Sequence, residues 1–246
     1  MIDPTLPSDG AFLALWNDVD PAKAAEYDVW HTIEHVPERV SIPGIRSARR
    51  YCAGGAPLHD YFTLYEVEDL AALAAAPYRS VVAKPTPWTL SMRPFLRNFL
   101  RQPCRGVMRV GHGLGGTAAT IRFQLSPAAA EAAATIESLR ERLTALPGLV
   151  AARLGLIIPD PTFLLANMPA ADAGPGTDPG AAFVLVIEGL PAPGWRPAVG
   201  EIARWLEQAA GASAVTAQAY DLAFAVDKSQ VDPTLWRKDR LPPAAS

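Results

Sequence analysis

Residues 38–49 read ERVSIPGIRSAR, and residues 141–153 read ERLTALPGLVAAR. With one inserted residue they align as Glu-Arg, an apolar-polar-apolar stretch, Pro-Gly, three more residues, Ala and Arg. The offset is about 104 residues, the size of a domain and too long for a solenoid repeat. Any fold for this chain must therefore place two related halves.

The flanks of the repeat agree. A helical pattern with proline in its first turn precedes each Glu-Arg segment, Pro21 in one half and Pro127 in the other. Asp20 and Ser126 stand before those prolines, where N-caps belong. A strand-like run precedes each helix, AFLALWND at 11–18 and TAATIRFQL at 117–125. After each Pro-Gly come two further strands, IRSARRYCA and DYFTLYEV in the first half, VAARLGLII and AAFVLVIEG in the second. Second helices are expected at roughly 69–83 and 197–209, and last strands near 104–110 and 213–226. The pattern is α+β: a tandem duplication of a ferredoxin-like βαββαβ unit. Residues 1–113 form the first copy, 114–228 the second and 229–246 a tail, with GHGLGG at 111–116 as the joint. NMPAADAGPGTDPG at 167–180 reads as a hairpin loop, and Trp236 is expected to pack the tail onto the body or a partner.

Alternation along the strands assigns their faces. Ile121, Phe123 and Leu125 are expected to meet helices, with Thr120, Arg122 and Gln124 opposite. By alignment Leu13 and Leu15 take the helix side, and Ala14 and Trp16 the other. In the third strand Phe62 and Leu64 are expected toward the helices, and Tyr61, Thr63 and Tyr65 away from them. A far face carrying Trp, Tyr, Thr, Arg and Gln implies two sheets facing each other across a semi-polar interior.

Charge excludes some partners. The formal net charge is −3. Residues 1–113 carry 12 basic and 12 acidic side chains and the remainder 10 and 13, so neither half has a nucleic-acid footprint. The opening MIDPTLPSDG lacks the basic and apolar regions of a signal peptide, and no uncharged apolar run approaches a membrane span. Cys52 and Cys104 lack CxxC spacing and read as buried reduced thiols. A cytoplasmic protein without membrane contact is expected.

Chemistry concentrates in AEYDVWHTIEHVPERVSIPG at 25–44, which holds two of the four histidines. Ala22, Ala25, Val29, Ile33, Val36 and Val40 form a helical stripe expected to pack on the sheet. Tyr27, Trp30, His31, Glu34, His35 and Glu38 take the remaining surface. Pro37 is expected to kink or end the helix beside His35 and aim a side chain into a cleft. The functional reading makes His35 and His31 acid/base groups oriented by Glu34 or Glu38; the plain alternative is a solvated face. The matching stretch of the second half has no His, Trp or internal Pro, and reads as scaffold.

HTIEH at 31–35 matches the H-x-x-E-H zinc pattern, but no separate acidic helix offers a third ligand, so no metal site is assigned. The glycines at 111–116 precede a strand, so they do not form a dinucleotide loop. Arg93, Arg97, Arg101, Arg105 and Arg109 recur every four residues, which would line one helix face if Pro94 and Pro103 did not break it; one or two of them are candidates for a substrate carboxylate.

The first half resembles the EthD-like families of the dimeric α/β-barrel superfamily, on Trp30, His35-x-Pro37, Pro43-Gly44-x-Arg46 and the strand HDYFTLYEVEDLAAL at 59–73. The likeness covers residues 9–110, and the second half matches in outline. It implies ferredoxin-like units whose two antiparallel sheets form an intrachain pseudo-dimeric barrel. It also implies a small, mostly apolar or aromatic ligand between sheet and first helix, with the family-like histidine mapping onto His35. Members include cofactor-free monooxygenases, cyclases, isomerases, decarboxylases and haem proteins, so the fold does not choose the reaction.

The leading expectation is a cofactor-independent enzyme acting on an aromatic or polyketide-like molecule. His35 would be its acid or base, supported by His31 and Glu34, with Trp30, Trp16, Tyr51, Tyr65 and Arg122 lining the substrate pocket. The alternative is a non-catalytic binding or accessory protein. A haem protein ranks lower, because residues 114–246 have no histidine and only His31, His35, His59 or His112 could serve. A homodimer is weakly suggested by apolar tail residues.

Overall fold

The computed structural model describes residues 10–53, 58–126, 133–158, 183–191 and 195–232. The proposed loop at 167–180, the proline start at Pro127 and the tail's Trp236 lie outside them.

Eight strands carry the fold: β1 Ala11–Val19, β2 Ile45–Cys52, β3 Tyr61–Val67, β4 Leu96–Gly111, β5 Thr117–Gln124, β6 Leu149–Ile157, β7 Phe183–Gly189 and β8 Ser213–Asp227. They close into a barrel in the order β1-β3-β2-β8-β5-β7-β6-β4, with every neighbouring pair antiparallel. Closure removes all sheet edges. Within residues 11–111 the order is β4-β1-β3-β2, and within 117–227 it is β8-β5-β7-β6. The two Pro-Gly turns introduce corresponding strands, β2 and β6. Gly44 and Gly148 there have φ of +86° and +77°, which a side chain would resist.

Alternation on β1 splits its side chains as the sequence indicates. Ala14 and Trp16 point into the barrel with Phe12, Tyr51, Phe62, Leu64 and Tyr220, while Leu13 meets Val36 and Val40 on the helix side. The third strand corrects the expectation. Register sets Leu13 beside Tyr65, Leu15 beside Thr63 and Trp16 beside Phe62, so Phe62 and Leu64 face the interior and Tyr65 faces the helices. Tyrosines on the helix face misled the alternation because that face is itself partly polar.

The first helical layer runs from a 3-10 turn, Pro21–Lys23, capped by Asp20 Oδ1 accepting from Ala22 N at 3.0 Å. Next come α1 Ala24–Trp30, a π-helical turn His31–His35 and α2 Val36–Ser41. The helix therefore does not stop at Pro37. The Val36 N–H reaches back to His31 O across the widened turn, and Pro37 sits in the first turn of α2, where a missing donor costs little. The stripe expectation is corrected with it: Val29 and Ile33 are 46% and 42% exposed, whereas Tyr27, Trp30, His31, Glu34 and Glu38 are buried. The remaining helices of the first half are short: α3 Ala71–Ala74, α4 Ala76–Ala83 and α5 Pro87–Met92. Arg97, Arg101, Arg105 and Arg109 lie on β4, which starts at Leu96, earlier than the strand expected near 104–110, and a register shift between Gly106 and Met108 separates Arg109 from the other three. On the other side of the barrel α6 Ala133–Thr144 and α7 Trp195–Gln208 cover β5, β6 and β7 around Ile121, Phe123 and Leu185.

One end of the barrel interior is closed by a quartet of charges. Arg49 (β2) meets Glu66 (β3) at 3.0 Å and Glu188 (β7) at 3.4 Å. Arg153 (β6) meets Glu188 at 2.9 Å and also pairs with Glu66. Tyr51 Oη donates to Glu188 Oε1 at 2.7 Å. Burial alone would raise the Glu66 carboxyl, but Arg153 and Arg49 together outweigh it and hold it at about 2.

Candidate functional site

The helix from Ala24 to Ser41 lies against β2 and β3 through its aromatic and polar face. Tyr27 stacks on His31 with ring centroids 5.0 Å apart, and Trp30 approaches His35 at 4.5 Å. The two imidazoles are 5.2 Å apart. Tyr61 of β3 meets Tyr27 at 4.5 Å. Arg50 of β2 lies 5.8 Å and 5.9 Å from those two rings, and its Nη1 donates to Asp28 at 2.8 Å.

Polar bonds fix this face from the far side. Thr86, which caps α5, accepts from Thr89 N at 3.0 Å and donates its hydroxyl to Glu34 Oε1 at 2.5 Å. Trp30 Nε1 donates to Thr89 Oγ1 at 3.3 Å. Tyr27 Oη donates to Asn17 at 3.1 Å. Each partner removes a rotamer, so the histidines sit on a helix whose roll is set by side chains on either side. Lys228, just after β8, donates to the carbonyls of Val40 and Ile42 at 3.2 Å and 2.7 Å and closes the C-terminus of α2.

Other polar groups here are buried without a hydrogen-bond partner among the described residues: His31 Nδ1, His35 Nδ1, Thr63 Oγ1 and Tyr65 Oη. Orphaned groups on a helix and on the strand it packs against, here β3, are the usual mark of a place where a ligand or ordered water belongs. Burial pushes both imidazoles well below their usual range, with Arg50 and Arg39 adding to the effect at His31, and Arg39, His31 and Arg93 at His35. Both rings are therefore neutral at neutral pH, each with an unprotonated ring nitrogen, and the burial that keeps them neutral also opposes their protonated form. Burial pushes the Tyr65 phenol up, so it stays protonated as a donor.

No family model matches the chain, and no curated protein is significantly similar in sequence. Solved structures do match. An anthrone oxidase-like protein superposes with a TM-score of 0.60 at 11% identity, covering 89% of this chain and 93% of that one. A candidate monooxygenase of Fusobacterium nucleatum gives 0.53 at 8% identity, covering 89% and 95%. A candidate chlorite dismutase gives 0.52 at 12%, covering 90% and 96%. The fold is that of the dimeric α/β barrels. At these identities the likeness speaks for the fold alone.

The residues singled out in sequence divide between two places. Trp30, His31 and His35 are in ring contact on the helix and Glu34 is buried beside them in sequence, while Tyr65 of β3 packs against Val36 and Val40 of the same helix. Trp16, Tyr51 and Arg122 lie inside the barrel, on the opposite side of the sheet, with the Arg122 guanidinium 5.3 Å from the Trp16 ring. Sequence reasoning missed Arg50, Thr63 and Thr86. Arg46, the arginine of the Pro-Gly-x-Arg motif, is exposed and 3.9 Å from Glu68, while Arg50, four residues further along β2, is buried beside Tyr27. The signal for Arg50 was available in the alternation of β2 once the face of β3 was known. Thr86 and Thr89 left no signal, since their partners lie 52 and 59 residues away. Among the described residues no group of three His, Cys, Asp or Glu side chains is placed to hold a metal ion.

Proposed function

We propose that this chain is a cofactor-independent enzyme of the EthD-like type that removes a proton from a small aromatic or polyketide-like molecule. Two fused ferredoxin-like copies build it, with the working site in residues 1–113, residues 114–228 as scaffold and 229–246 as a tail. The observation that carries the reading is a pair of neutral imidazoles 5.2 Å apart on the helix that packs against β3, whose Thr63 and Tyr65 hydroxyls are buried without a partner among the described residues. A neutral ring at the end of an aromatic wall takes a proton from an activated C–H or O–H, and His35 is the base. The anion left behind would be held by the Tyr65 and Thr63 hydroxyls and the field of Arg50 and Arg39. His31 and Glu34 keep the helix face in place through Tyr27 and Thr86. The free thiols Cys52 and Cys104 suit a cytoplasmic protein.

The anthrone oxidase-like and monooxygenase-named neighbours make anthrone the first probe. Oxidation of its ring methylene to a carbonyl consumes one O2 and releases one water per molecule. Oxygen uptake by the purified chain should exceed the buffer rate and fall by about 100-fold or more in His35→Ala, with the circular dichroism spectrum unchanged. Saturable binding of anthrone without oxygen uptake would replace the enzyme with a binding protein, and equal activity in His35→Ala would remove His35 from the chemistry.

A further inference from the structure

The second half of the chain reaches the histidine helix through a lysine. Lys228 follows the last residue of β8, and its Nζ donates to the carbonyls of Val40 at 3.2 Å, Ser41 at 3.3 Å, Ile42 at 2.7 Å and Ile45 at 3.4 Å. Val40 and Ser41 end α2, so no helical N–H comes back to their oxygens. The neighbouring carbonyls are shared with the turn that follows: Arg39 O accepts from Ile42 N at 3.2 Å, and Ile42 O from Ile45 N at 3.2 Å. The ammonium thus gathers the oxygens at the end of the helix and the start of β2, where a positive charge is favoured.

Lys228 is itself held in place. Asp227 Oδ1 accepts from Ser229 N at 2.9 Å and from Ser229 Oγ at 2.7 Å, and Gln230 Oε1 accepts from Asp227 N at 2.8 Å. Asp227 also pairs with Ser47 of β2. Val226 and Val231, on either side, pack with Val36 and Val40. Apolar contacts of this kind keep the helix on the sheet but are non-directional, so they tolerate a slide or roll that hydrogen bonds resist. Lys228 is an exposed residue, so its bonds add little to stability; what they supply is place. α2 has six residues and is about 9 Å long, and His35 directly precedes it. A shift at the Lys228 end therefore reaches His35 along one rigid piece of helix.

We infer that Lys228 is a positioning residue for the His35 ring: through it the second half sets where α2 lies along its axis, and so where His35 stands against Trp30 and His31. The second half is then more than a scaffold that closes the barrel, since one of its side chains fixes the working face of the first. The consequence for turnover rests on the proton-transfer reading of His35; the consequence for the place of the ring does not.

The test is the NMR signal of the His35 ring in the full chain with labelled histidine, assigned by its loss in His35→Asn. Spectra are taken at pH ~8, where a free imidazole is neutral, so that protonation does not contribute. The ring lies 4.5 Å from Trp30 and 5.2 Å from His31, and their ring currents make its shift a measure of its place. Lys228→Met should move the His35 signal and leave that of His112, exposed in the joint between the halves, where it was. Lys228→Arg, which keeps a charged donor, should lie closer to wild type. Oxygen uptake with anthrone should fall by about tenfold in Lys228→Met, in kcat more than in KM. If Lys228→Met fails to fold, Lys228→Gln, which keeps N–H donors without the charge, is measured in its place. An unmoved His35 signal in the folded variant overturns the inference, as does an equal displacement in Lys228→Met and Lys228→Arg. A wild type without oxygen uptake would instead remove the enzyme reading, with the His35 signal still deciding the role of Lys228.

Discussion

The histidines make a thermodynamic statement as well as a chemical one. His31 and His35 are neutral in the folded chain because burial opposes their charged form, and the guanidiniums of Arg39, Arg50 and Arg93 oppose it further. In the unfolded chain both titrate near pH ~6.5. Below that pH the unfolded state takes up protons that the folded state refuses, so stability falls as the solution is acidified. The slope is at most about 1.4 kcal/mol per pH unit for each ring. Urea midpoints measured from pH ~8 to ~5 should hold steady above ~6.5 and drop below it, and His35→Asn should remove about one ring's share of the drop. An unchanged slope in His35→Asn would mean that this ring titrates freely. The identity of these residues was legible in the sequence, since two histidines, a tryptophan and a glutamate around a proline are uncommon on a solvated helix. Their burial was not legible, because an apolar stripe with Val29 and Ile33 gave an equally regular pattern pointing the other way.

At the scale of the element, that reversal has a structural cause. A π turn inserts one residue into the helical repeat, so positions on either side of His31–His35 no longer follow one period. Val36 and Val40 beyond the turn face inward as the stripe requires, while Val29 before it and Ile33 within it do not. Pro37 favours the widened turn, since an α-helix there would ask for an N–H that proline lacks. Pro37→Ala restores the donor and should let the turn relax toward regular α-helix, rotating Tyr27–Glu34 relative to Val36–Ser41. The expected result is a chain as stable as wild type or more so, whose turnover is lowered at least about tenfold by misplacement of His35. A crystal structure of the variant checks the turn and the oxygen assay checks the rate; retained π geometry with full activity would show that proline does not set the turn. Strand positions were easier to read than this helix: β1, β5 and β8 were placed to within about two residues because alternation marks them and glycines (Gly10, Gly116 and Gly211) stand just before them. The face of β3 failed because tyrosine and threonine are as common on a buried polar face as on an exposed one.

For the whole molecule, the decisive contact is one that joins the two blocks of strands. Arg49 and Glu66 belong to residues 11–111, Arg153 and Glu188 to residues 117–227, and each arginine touches both carboxylates. The repeat that opened the sequence contains both arginines as its last aligned residue, so this interlock was half visible there; the glutamates lie outside the aligned segments and were not. Large and small side chains alternate in the same way: Tyr51 on β2 corresponds in the alignment to Gly155 on β6, where a Cβ would come within 2.5 Å of the Phe12 ring. Removing one arginine leaves buried carboxylates short of a partner, which costs about 3–5 kcal/mol. Arg49→Met should show that loss in chemical denaturation. Arg46→Met, on the same strand with its side chain 61% exposed, should change stability by no more than about 0.5 kcal/mol. Acid should not open the quartet early: Glu66 has a folded pKa of about 2 against a usual 4.5, so its contribution is complete above pH ~5 and disappears only as the pH falls from there toward ~2. Loss of stability that sets in between pH ~6.5 and ~5 therefore belongs to the histidines, and below pH ~5 the quartet adds its own loss to theirs. In Arg49→Met the lower phase should shrink while the upper phase stays. Equal costs for Arg49→Met and Arg46→Met would show that the two blocks are held by apolar packing alone.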